Sequence, residues 1–151
     1  MKKYYLDLFE YNNWANDRII LKIQKTDLEF EVGNPLKIMG HIISAQDTWL
    51  ERVKGTKKYN IYLWDEFSIQ ELEVLSINSH REWIKFLNKF NEEGLEKFCD
   101  YKNSKGEKNQ RKYQDIFTHV VNHSSYHRGQ INQLLRLNKY EPAVTDFIYY
   151  C

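Results

Sequence analysis

Four stretches of the chain repeat apolar residues at the three-to-four spacing of an α-helix, with polar positions between them. Residues 5 to 24 carry Leu6, Phe9, Trp14, Ile19, Ile20 and Ile23 among polar neighbours, followed by Gln24-Lys25-Thr26-Asp27, so this pattern predicts a first amphipathic helix. Asn34-Pro35 then supplies a cap and a first-turn proline for a second helix, with Ile38, Met39, Ile42, Trp49, Leu50 and Val53 on one face. Lys54-Gly55 closes it. Thr56 to Asp65 has no clear period and is expected to cross over to a third helix. Ser68, with Glu71 three residues on, forms the capping-box pattern, and Leu72, Trp83, Leu87 and Phe90 mark that helix's buried face.

Residues 96 to 112 change character. Phe98-Cys99-Asp100-Tyr101-Lys102, the turn Asn103-Ser104-Lys105-Gly106 and the segment from Glu107 onward predict two short strands about a glycine turn. The last helix is expected from about Tyr113 to Leu137, with Tyr113, Ile116, Phe117, Val120, Ile131, Leu134 and Leu135 on one stripe. The elements add up to an all-α four-helix bundle with a small β-hairpin between helices three and four. With 151 residues and about 100 to 200 residues per domain, one domain over residues 1–151 is expected.

Composition narrows the function. Lys plus Arg is 22 against 21 Asp plus Glu, a formal charge of +1, which supplies no overall field for gripping nucleic acid or an anionic membrane. The hairpin is locally basic: Lys102, Lys105, Lys108, Arg111 and Lys112 stand against Glu107. Such a run can hold a phosphate, but it reads more simply as a solvated turn. The first residues lack the apolar run of a secretory signal, and no 18 residues pass without a charge, so no membrane span is expected. Cys99 and Cys151 lie far apart without metal-finger spacing, which suits a reduced, cytoplasmic protein in which both are bystanders.

The chemistry lies in the histidines. His119, His123 and His127 follow one another at intervals of four, which aligns three imidazoles along one side of the last helix. One ion cannot take all three, because His119 and His127 are about 12 Å apart along the axis. At about 100° per residue, His127 and Ser124 sit at the centre of the face set by Val120 and Ile131, with His123 beside them and His119 further round. The inward pair is therefore 123/127. A hydroxyl and an imidazole within an apolar stripe need partners, and a metal ion is one. Sites that leave a coordination position open commonly use three protein ligands, and both His41 and His80 are candidates for the third. Spacing alone leaves that choice open. Ser124 follows His123 where a zinc protease of the HExxH type needs Glu, no Glu-x-x-His occurs, and GxGxxG, the P-loop and the serine-nucleophile motif are absent.

The run His123-Ser-Ser-Tyr-His127-Arg128-Gly129-Gln130-Ile131 resembles the HxxxHRGQ signature of the DinB family of four-helix-bundle proteins. Tyr11-Asn12-Asn13-Trp14-Ala15-Asn16 is similar to that family's first helix, and His41-Ile42-Ile43 with Trp49-Leu50 and Gly55 to its second. Asn103 to Gly106 resembles its hairpin turn, and Thr145-Asp146-Phe147-Ile148 its carboxy-terminal tail. The resemblance implies a divalent metal, nickel or zinc, held by His41, His123 and His127 with positions left open, and it favours His41 over His80. It also implies a homodimer and a small-molecule substrate. Relatives in the wider superfamily are thiol-dependent transferases and isomerases, so transfer of a low-molecular-weight thiol to an electrophile is the first expectation. Metal-dependent hydrolysis and a non-catalytic metal-binding role in stress response are the alternatives. His119 is the candidate base or supporting group on either catalytic path. Gly129, in mid-helix, suggests close helix approach, with Arg128 and Gln130 organising that contact.

Overall fold

The computed structural model describes residues 1–56 and 64–151. Four helices carry the chain: α1 (Lys2–Gln24), α2 (Pro35–Lys54), α3 (Ile69–Lys89) and α4 (Tyr113–Leu137). Two strands, β1 (Phe98–Lys102) and β2 (Lys108–Lys112), form an antiparallel hairpin between α3 and α4. This is the four-helix arrangement with a hairpin that the sequence pattern predicts. The expected crossover from Thr56 to Asp65 lies largely outside the described residues.

The helix caps that the sequence predicts are formed. The Asn34 side chain accepts from the Lys37 N–H, Ser68 and Glu71 form a reciprocal capping box, and Gly55 ends α2 at φ +68°, a conformation that favours glycine. The first helix begins at Lys2 rather than at residue 5. Tertiary contacts secure the added residues: the terminal amine pairs with Glu92, and Lys2 Nζ donates to the Asn88 carbonyl.

The helices form a square in which α1 and α2 each pack on both α3 and α4, so that α1 and α2 are diagonal. The interior divides along the bundle axis. One end is aromatic: Phe117 meets Tyr5, Phe9, Trp83, Phe86 and Phe90 edge-on. The other end is aliphatic, built from Ile19, Ile23, Met39, Ile42, Leu72 and Ile131, all fully buried. Between them every helix contributes buried polar residues: Asn12 and Asn16 from α1, Gln46 from α2, Ser76 and Ser79 from α3, Ser124 and Arg128 from α4.

This polar belt is knitted across the bundle. Arg128 donates to the Asn12 and Asn16 amide oxygens at 2.7 and 2.8 Å and to Ser125 Oγ at 2.8 Å. Gln46 Nε2 donates to Ser124 Oγ, and the Trp83 indole N–H donates to the Gln46 carbonyl. The tail is fastened to the same helices: Asn132 exchanges two hydrogen bonds with Ala143, and the Tyr11 hydroxyl donates to the Thr145 carbonyl.

Candidate metal centre

Three imidazoles meet at the level of the polar belt. The α4 pair His123 and His127 stand one helical turn apart, and the packing of α2 on α4 brings buried His41 against them. The ring centroid of His41 lies 4.6 Å from that of His127 and 5.1 Å from that of His123. One ring nitrogen from each falls within 4.8 Å of the other two, the one such group of three metal-ligating side chains among the described residues. The inward 123/127 pair and the choice of His41 are thus what the geometry brings together. His80 is elsewhere: half-buried on α3, it faces Glu10 of α1 at 3.3 Å.

The donor set suits a metal ion. His123 Nε2 and His127 Nε2 are 3.2 Å apart. At metal–nitrogen distances of about 2.0–2.1 Å, two imidazoles on one ion are separated by roughly 2.9 Å for a right angle and 3.3 Å for a tetrahedral one. Gln130 Oε1 lies 2.6 Å from His127 Nδ1. A carbonyl oxygen can only accept, so it holds the proton on Nδ1 and leaves the Nε2 lone pair facing His123.

Electrostatics favour the neutral, ligating form. Burial, followed by His127, His41 and His119, pushes the His123 imidazole down to about 4. His119 does not join the group of three. It is exposed, with its ring 5.6 Å from that of His123 and 5.2 Å from that of Trp49. Partial exclusion of water by the packed rings, then the charge of Arg52, holds it below the usual histidine value.

Three features differ from the sequence pattern or lie outside it. A Cβ placed on Gly129 would meet nothing within 4 Å, so no close helix approach among the described residues accounts for this glycine. Arg128 does organise a helix contact, between α4 and α1, whereas Gln130 orients His127. The spacing of three between His127 and Gln130 was the available signal, since side chains three apart share a helix face. Trp64 stacks flat on His41, with centroids 3.9 Å apart and planes within 8°, and nothing in the sequence pattern announced it.

The family profile described as DinB family matches residues 1–151. The chain belongs to the DinB family. Consistent with this, it is 28% identical over 165 aligned residues to Protein DinB of Bacillus subtilis (strain 168), covering 99% of this chain and 95% of that protein. The DinB family match spans the residues of the histidine cluster. Among the described residues, no helix is long and apolar enough to cross a membrane.

Proposed function

We infer that this chain is a metal-dependent enzyme in which His41, His123 and His127 hold a divalent ion, nickel or zinc, and a low-molecular-weight thiol is transferred to an electrophile. The observation that carries the reading is the cluster of three imidazoles with His127 fixed by Gln130. Bound there with open positions, such an ion supplies the Lewis acidity that keeps a thiol deprotonated at neutral pH. The chain's own residues do the rest. Gln130 presents His127 Nε2, and the rings of Trp64 and His119 flank the ligands. His119, neutral near pH 7, takes the thiol proton on a ring nitrogen. Buried Arg128 and Asn12 keep α4 in register with α1, so that the two α4 histidines face α2. The same reading includes a homodimer, as the resemblance implies, and a cytoplasmic location suited to unpaired Cys99 and Cys151.

The test is conjugation of a small thiol such as N-acetylcysteine to monochlorobimane by zinc- or nickel-loaded protein. Wild type conjugates above the uncatalysed rate and His127→Ala falls to it. Equal rates in the two would sink the reading, and hydrolysis of a simple ester by wild type alone would assign the site to hydrolysis instead. Light scattering at two protein concentrations tests the dimer, which a monomeric mass would remove.

A further inference from the structure

Trp64 lies on the connection into α3, outside every helix, and is 52% exposed. Its indole nevertheless lies flat against the buried His41 imidazole, with centroids 3.9 Å apart and planes within 8°. Phe67, three residues on, shows how an aromatic ring of this segment serves the core: it packs against the aliphatic end of the bundle. Trp64 instead leaves half of its surface in water and lays a face on one of the three clustered imidazoles. The contact is prepared by the residue before His41. A Cβ on Gly40 would come within 2.8 Å of the Phe67 ring and 3.4 Å of the Asp65 carbonyl oxygen. Glycine is a poor residue for a helix interior, and this close approach is a reason for it here. The segment 65–67 thus seats directly on α2 one residue from the imidazole, and the ion pair of Lys37 with Glu66 at 3.8 Å joins the same two pieces. With Asp65 and Phe67 held against Gly40, Trp64 is brought over His41.

Orientation matters at His41 because a histidine ring turns easily about its last side-chain bond, where the energy minima are broad. Both ring nitrogens lie on the edge, so only a defined ring plane presents one of them to a neighbour. The His41 ring meets that of His127 nearly at right angles, 78°, and that of His123 at 56°. Turning it would break the parallel stack with Trp64. A flat neighbour therefore does for His41 what the Gln130 carbonyl oxygen does for His127.

We propose that Trp64 is a positioning residue of the metal centre: seated by Gly40, it holds the His41 ring in the plane that turns a nitrogen toward His123 and His127. The consequence, tighter binding of a divalent ion, rests on the metal-centred reading, whereas the orientation of the ring rests on the stack alone. The connection into α3 is then part of the site, although it contributes no ligand of its own through Trp64.

The test uses two measurements on the full chain. In metal-free protein, NMR of the imidazole C–H groups, with His41 assigned by its loss in His41→Ala, should show the His41 ring protons moved upfield by the stacked indole. Trp64→Ala and Gly40→Ala should remove that shift, and Trp64→Phe should keep part of it. In a chelator competition, Trp64→Ala should weaken zinc binding roughly 10-fold or more, as loss of a ligand's supporting contact does, with its urea midpoint unchanged. Trp64→Phe, which keeps a flat ring, should recover most of the affinity, and Gly40→Ala should weaken binding even though alanine suits a helix better. Wild-type zinc affinity in Trp64→Ala, or equal losses in Trp64→Ala and Trp64→Phe, would overturn the proposal, and full affinity in Gly40→Ala would overturn the seating by Gly40. Wild type that takes up no zinc would overturn the metal-centred reading, and an unshifted His41 ring in metal-free protein would overturn this inference alone.

Discussion

Arg128 and His127 are neighbours in sequence and lie at the same level of the bundle, yet their polar atoms are treated in opposite ways. Arg128 faces α1 and ends on three side-chain oxygens of the chain itself, those of Asn12, Asn16 and Ser125. His127 faces α2, has one nitrogen fixed by Gln130, and turns the other toward His123 at 3.2 Å. A polar group met by its own chain contributes to the fold, whereas three imidazoles brought together could hold an ion. The polar belt therefore has a structural side and a side that we propose binds metal, divided along α4.

The largest expected effects lie outside the belt or on its structural side. Phe117→Ala removes the ring on which the aromatic end converges and should cost about 3–5 kcal/mol. Arg128→Met leaves the Asn12 and Asn16 oxygens buried and unmet, at about 2–4 kcal/mol by urea unfolding. If Arg128→Met unfolds like wild type while losing metal, the division between the two sides is wrong.

Acid should separate the two sides next. His123 titrates near 4 when folded and near 6.5 when unfolded, so between those values the unfolded chain holds the extra proton and acid destabilises the metal-free fold. Asp47, on α2, works in the opposite sense: burial pushes its carboxyl up to about 6, so the folded chain holds the extra proton and acid stabilises it. The two largely offset each other in wild type. Asp47→Asn removes the compensation and should lose about 2 kcal/mol more than wild type between pH 6.5 and 4 in parallel urea titrations. Parallel curves would show that the folded chain does not hold the extra proton on Asp47.

The smallest effect sharpens the ligand side. Gln130→Leu should leave urea stability within about 1 kcal/mol while weakening zinc binding roughly 10–100-fold in a chelator competition. Unchanged zinc affinity would mean that the Gln130 contact does not set the orientation of His127.

Much of this was legible in the sequence because it is local. Asn34-Pro35, Ser68 with Glu71, and Gly55 specify helix ends through backbone chemistry within a few residues, and the spacing of His123 and His127 fixes a shared face whatever the surroundings. What depends on packing between helices was not. Periodicity could not separate His41 from His80, because both lie at the edge of an apolar stripe, and only the placement of α2 against α4 and of α1 against α3 distinguishes them. Gly129 is the converse case: its sequence context suggests a close contact, and the described residues offer none.

The central claim is that His41, His123 and His127 form one metal site. Its most direct test is elemental analysis of tag-free protein, purified and then reconstituted with zinc or nickel, for wild type and for His41→Ala, His80→Ala, His123→Ala and His127→Ala. The account predicts about one ion per chain in wild type and in His80→Ala, and its loss in the other three. Metal-free wild type after reconstitution, or retention of the ion in His41→Ala and His127→Ala alike, would contradict it.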